Sequence, residues 1–242
     1  MANRKITPAY VAAHIRRVLR DGGSAPHAEG VQWFFKEEIK SRGWYTAELR
    51  KVAIRFRRTI IREQGFRFLV RVADQLFRGR VLEEKIFGVF LLEKIVVDLG
   101  DGEFRLLETW LDRITSWADH DGLVHYLIAP LIASKTSRAR RVFVWARSGN
   151  RWHRRAACVA LIQGTRQSMF LRQIIRLSNM LLDDEDDMVQ KGLGWLLRET
   201  VKHNRRAVMP YLRQIRSRAP RLVLRTACET LPVAERRKIL AA

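Results

Sequence analysis

Cysteine, proline and acidic side chains are all scarce in this 242-residue sequence, which has 2 Cys, 6 Pro and only 25 Asp+Glu against 46 Lys+Arg. Two cysteines, Cys158 and Cys228, are too few for a disulfide framework or a Cys-rich zinc site, and both stand in apolar helical surroundings, which predicts core thiols. Long hydrophobic runs are missing as well. A bilayer span needs roughly 20 apolar residues, and the longest candidate, Ile86 to Leu92, stops at Glu93 and Lys94, so no membrane association is expected. Met1-Ala2-Asn3-Arg4-Lys5 leads into polar and charged residues rather than an apolar h-region, which predicts no secretory signal and a cytoplasmic location. Gly22-Gly23 is not a phosphate loop, because neither GxxxxGK[ST] nor a GxGxxG after a strand is present. His14, His27, His120, His153 and His203 have no metal-like spacing and no Cys joins them, so neither a metal nor a cofactor is expected.

What is abundant is positive charge on a chain able to fold. With 47% hydrophobic residues it can bury a sizeable core, and the formal net charge is +21. A folded, strongly basic chain points to a polyanionic partner, because Lys and Arg that neutralise phosphates release condensed counterions; nucleic acid leads. Strand signals are few and apolar residues recur at helical spacing almost throughout, which predicts an all-α chain. The punctuation Asp21-Gly22-Gly23, Arg42-Gly43, Gly79, Asp101-Gly102, Ser148-Gly149-Asn150, Pro210 and Pro220 predicts many short helices.

An internal repeat organises them. Segments beginning at Leu49, Lys85, Gly122, Arg155, Lys191 and Arg225 are separated by 36, 37, 33, 36 and 34 residues. Each places small residues or Gly where two helices must approach, followed by large apolar residues, and most begin with Lys or Arg. A period of this size predicts an α-solenoid superhelix of about six HEAT-like two-helix repeats in a single domain, residues 1–242. Basic residues at one phase of the repeat are expected to line its concave face.

The stretch Asn150-Arg151-Trp152-His153-Arg154-Arg155-Ala156-Ala157, with Lys191-Gly192-Leu193-Gly194-Trp195-Leu196-Leu197-Arg198-Glu199, resembles the bacterial DNA alkylation repair family of HEAT-like alkylpurine DNA glycosylases. Phe35-Lys36-Glu37-Glu38-Ile39 and Arg42-Gly43-Trp44-Tyr45-Thr46-Ala47-Glu48-Leu49-Arg50 add to the likeness, which runs from about Trp33 to about Leu231. The resemblance implies a superhelix that cradles alkylated duplex DNA and hydrolyses the N-glycosidic bond of N3- or N7-alkylated purines; a nucleoid-associated monomer is expected. It implies that Arg155 binds a phosphate and that Trp195 lies beside the deoxyribose of the lesion. Arg151 and Arg154 would add to the phosphate contacts, and Trp117 to the contacts with the sugar. A basic solenoid that binds DNA without chemistry is the alternative.

The family's catalytic Asp falls in a Trp-x-x-Val-Asp motif shortly before a Pro, and two registers are open. In the first, Asp121-Gly122-Leu123-Val124-His125 precedes Pro130 and His125 stands where the family has Asp; it keeps the apolar run into Pro130 in phase and is preferred. In the second, Trp117-Ala118-Asp119-His120-Asp121 keeps the Trp-to-Asp spacing but requires an insertion before Pro130. A carboxylate matters because the alkylated purine is already cationic and leaves readily, so the developing charge sits on the sugar. In an uninterrupted helix Trp117, Asp121 and His125 share one face at i, i+4 and i+8, where Asp121 pairs with His125, serves as the carboxylate itself, or is a surface residue only. Arg154 and Arg155 near a helix start oppose the macrodipole unless an anion is close. The tract Asp183-Asp184-Glu185-Asp186-Asp187 lacks the spacing of a calcium loop and is read as helix capping.

Overall fold

A computed structural model describes residues 6–241; residues 1–5, where the sequence predicts no secretory signal, lie outside the described residues. The chain divides into two compact units, Met1–Leu127 and Ile128–Ala242. The first holds α1 (Pro8–Asp21), α2 (Ala25–Gln32), α3 (Thr46–Gln64), α4 (Phe66–Phe77), α5 (Leu82–Leu92), α6 (Asp101–Trp110) and α7 (Trp117–Leu123). The second holds α8 (Ala129–Ser134), α9 (Val142–Trp145), α10 (Arg151–Val159), α11 (Ile162–Thr165), α12 (Leu171–Leu181), α13 (Asp187–Ile215), α14 (Arg221–Ala227) and α15 (Val233–Leu240). Among the described residues the sole β pairing is an isolated bridge between Lys40 and Val81.

Local chemistry sets where these helices begin. Thr7, Ser24, Asn150 and Asp186 are N-caps whose side-chain oxygens accept from backbone N–H groups of the first turn, and Pro follows early in α1 and α2. Asp186 alone accepts from both Met188 and Val189, so the acidic tract is a cap, as its position predicts. Where helices end is less faithful to the sequence. Pro210 does not separate two helices but lies within α13, and the break falls earlier, at Asn204 (φ −137°, ψ 43°). Pro210 lies six residues beyond that break, inside the following limb, where its missing N–H forgoes one bond to the carbonyl four residues earlier.

The repeat is visible in the packing. Its segments fall on α3, α5, α7 and the residues after it, α10, α13 and α14. In the first unit α3 packs on α5 and α5 on α7; in the second, α10 packs on α13 and α13 on α14. This is an all-α arrangement of HEAT-like helix pairs. The small residues sit at the closest approaches: a Cβ at Gly88 would come within 3.0 Å of the Ala73 carbonyl oxygen, and one at Gly194 within 2.5 Å of the Thr226 Cβ. Both cysteines are buried, and burial pushes the Cys158 thiol up to about 12, leaving it protonated at neutral pH.

A buried polar node ties α4 to the end of α6. Asp74 accepts from Trp110 Nε1 (2.9 Å), Arg113 Nη1 (2.7 Å) and Arg78 Nη2 (2.8 Å), while Phe77 stacks on Trp110 at 4.3 Å. Burial would raise the Asp74 pKa, but hydrogen bonds from Arg113, Arg78 and Trp110, with the Arg113 charge, outweigh it and leave the carboxyl below its ordinary range. A depressed folded-state pKa contributes stability above the unfolded value of about 3.9, and that contribution is lost as pH falls through the folded value. Acid denaturation of the wild type is therefore expected to include a component that Asp74→Asn lacks. Urea midpoints that fall equally in both proteins between pH 5 and pH 2 would refute it.

Candidate functional site

The short helix α7 is built by its own first residues. Ser116 is its N-cap, and Ser116 N and Oγ both donate to Asp119 Oδ1, at 2.7 and 2.6 Å. The other oxygen, Asp119 Oδ2, accepts from Thr115 N (3.0 Å), Thr115 Oγ1 (3.1 Å) and Lys85 Nζ (2.7 Å). Lys85 also donates to the Arg113 carbonyl and Thr115 Oγ1, so its ammonium is fully engaged. Lys85 is 1% exposed and Asp119 0%. With every lone pair direction occupied, Asp119 is a structural carboxylate that fixes the entry into α7.

That entry places two of the residues singled out in the sequence. Trp117 opens α7; its ring stacks on Phe35 at 5.0 Å and 16°, and its Nε1 lies 3.3 Å from the Phe34 carbonyl oxygen. Asp121 follows one turn later, half-buried, with Oδ1 2.7 Å from Nδ1 of the buried His120. The α-helix does not continue to His125. It widens into a π-helical segment, Val124–Ile128, which departs from the even i, i+4, i+8 phase, and the His125 ring meets Tyr126 edge-on at 5.3 Å. The Asp121 carboxylate thus meets its neighbour in the chain, His120.

In the second unit the cations on α10 meet groups of the chain itself. Arg155 is 6% exposed and its Nη1 donates to the Met188 carbonyl at 2.7 Å. Arg154 reaches Asp184 through Nε (2.6 Å) and Nη2 (3.3 Å), and its Nη1 caps the Ser148 and Gly149 carbonyls at 3.0 Å each. Arg151 lies 3.6 Å from Asp186 and its guanidinium covers the buried Trp152 ring at 4.6 Å. The anions beside Arg154 and Arg151 near the start of α10 are therefore Asp184 and Asp186, both drawn from the acidic tract. Trp195 sits half-buried on α13, flanked by Gly194.

Two features escaped the sequence reading. Basic residues at the repeat start do not share one exposed line: Lys85 and Arg155 turn inward, Lys191 lies 3.3 Å from Asp187, and Arg225 is exposed. Desolvation by a neighbouring repeat is invisible in a linear pattern. The Asp119 box was missed although Ser116-x-x-Asp119 carries the signature of one. Among the described residues no group of three or more His, Cys, Asp or Glu is placed to hold a metal ion, and no helix is long and apolar enough to cross a membrane.

Helix pairs repeating at this interval define an all-α protein of HEAT-like repeats. The chain belongs to the family described as DNA alkylation repair enzyme, whose profile matches residues 15–231. Its fold is similar to that of AlkD2 from Streptococcus mutans, with 18% identity, a TM-score of 0.59, and 78% of this chain and 92% of that one covered. A similar likeness holds for smu.31 from Streptococcus mutans UA159, with 19% identity, a TM-score of 0.58, and 78% and 98% covered. No curated protein matches the chain. Family membership supports a role in DNA alkylation repair.

Proposed function

We propose that the protein binds duplex DNA and hydrolyses the N-glycosidic bond of N3- or N7-alkylated purines, with Asp121 as the carboxylate opposite the sugar. The observation that carries this reading is the placement of Trp117 and Asp121 one turn apart on a single α-helix whose start is fixed by Ser116 and Asp119. The π-helical segment lies between Asp121 and Pro130, where the register beginning at Trp117 needs extra residues, and that favours it over the register ending at His125.

The chemistry asks little of the protein beyond charge and position. An alkylated purine carries positive charge, so when the bond to C1′ breaks its electron pair returns to the base, which leaves neutral without an acid. The positive charge passes to the sugar. Asp121, oriented by His120, stabilises that oxocarbenium ion and aligns a water whose oxygen bonds to C1′; the water's proton passes through the carboxylate to solvent. His125, packed against Tyr126, takes no step. The family resemblance implies phosphate contacts for Arg151, Arg154 and Arg155 and a sugar contact for Trp195; Arg154 and Arg155 make theirs only by exchanging Asp184 and the Met188 carbonyl for phosphate, and such contacts position DNA without reading its sequence.

The engagement of Arg155 with Met188 favours a second reading, a DNA-binding repeat protein without chemistry. Release of N7-methylguanine from methylated duplex DNA separates the two. The glycosylase reading expects release about tenfold or more above the spontaneous rate, together with affinity that falls steeply with salt. Salt-sensitive binding with no release above background leaves the second reading standing.

A further inference from the structure

The segment after α2 carries an aromatic pair that the reaction just described does not use. Gln32 closes residues 32–39 into a fixed loop: its Nε2 donates to the Glu37 carbonyl at 2.8 Å and the Phe35 carbonyl at 3.4 Å, and its Oε1 accepts from Ile39 N at 2.9 Å. Beyond the loop, Lys40 pairs with Val81, and within it Phe35 stacks on Trp117, whose Nε1 faces the Phe34 carbonyl. The backbone is thus held at both ends and in the middle. Yet Trp33 is 90% exposed and Phe34 75%, two large apolar side chains left in water.

Holding two large rings in water on an ordered loop is unfavourable unless a partner covers them. A second copy is a poor occupant, since each chain brings a net charge of +21 and the copies repel. The same charge draws a nucleic acid in, and every nucleobase offers a π-face on which an indole or phenyl ring can stack. Trp33 and Phe34 also directly precede Phe35, whose ring stacks on Trp117, the residue that opens the helix bearing Asp121. We infer that Trp33 and Phe34 form a preformed stacking platform for a nucleobase at a break in the DNA stack, such as a base bordering a gap or displaced from its pair. This rests on the DNA-binding part of the proposed function and not on its chemistry.

The test compares wild type with the W33A/F34A double variant, both checked by circular dichroism, for binding to an intact duplex and to one carrying a tetrahydrofuran abasic analogue with 2-aminopurine opposite. Wild type is expected to bind the abasic duplex about tenfold more tightly and to change the 2-aminopurine fluorescence. The variant should lose that preference while its affinity for intact duplex changes less than about threefold. Equal preference in both proteins overturns the platform alone. A wild-type dimer that W33A/F34A converts to monomer with DNA binding unchanged makes the pair a self-interface and also overturns it. Absence of DNA binding by wild type removes the proposed function together with the platform.

Discussion

Asp121→Asn is expected to lower N7-methylguanine release by about 10²- to 10³-fold while leaving DNA affinity within a few-fold. Asparagine keeps the volume and one hydrogen-bond acceptor toward His120 but removes the negative charge, and charge is what the oxocarbenium ion requires. Losing one aligned electrostatic partner of a transition state costs roughly 3–4 kcal/mol in comparable sites. Folding should be unaffected, since Asp121 belongs to neither the N-cap of α7 nor its buried ion pair. His125→Ala serves as the contrasting variant and is expected to retain release within about threefold. If His125→Ala loses release and Asp121→Asn does not, the register ending at His125 is the right one and the reaction must be rebuilt around an imidazole.

Lys85→Met is expected to destabilise the fold by about 3–5 kcal/mol. Methionine fills much of the lysine's volume, but the change leaves the Asp119 carboxylate buried without its countercharge, and an uncompensated buried charge costs about that much. Urea denaturation followed by tryptophan fluorescence measures it. The double variant K85M/D119N should recover part of the loss, because a carboxamide at position 119 still accepts hydrogen bonds from the Ser116 end while no charge remains buried. A loss below about 1 kcal/mol for Lys85→Met, or a double variant less stable than the single, would show that the pair is not held as described.

The sequence made the helices and their interval legible because both are local or periodic. Caps such as Asn150 and Asp186 act on the next two or three residues, and the segments at Lys85, Arg155, Lys191 and Arg225 recur at one phase and fall on helices of successive pairs. What the pattern could not carry was the direction a charge faces. Lys85 and Arg225 look alike in the repeat, yet one is sealed beneath the start of α7 and the other is exposed, a difference set by the residue roughly 34 positions later that meets it: Asp119 for Lys85. Pro210 was misplaced because a proline removes only one rung of the ladder, which the packed limb beyond Asn204 tolerates without ending. The site was half legible. Trp117 and Asp121 of the proposed site are named by the sequence, but the widened turn at Val124–Ile128, on which the proposed register leans, is not announced by composition.

The sealed Lys85–Asp119 pair also separates two responses to ionic strength. Contacts between surface arginines and phosphates weaken with every increment of salt, because their counterions return from a more concentrated bath. An ion pair at 1% and 0% exposure has no bath to consult. Under the proposed function, concentrated salt is therefore expected to strip nucleic acid from the protein while Trp117 and Asp121 stay where α7 holds them, so that dilution alone restores binding.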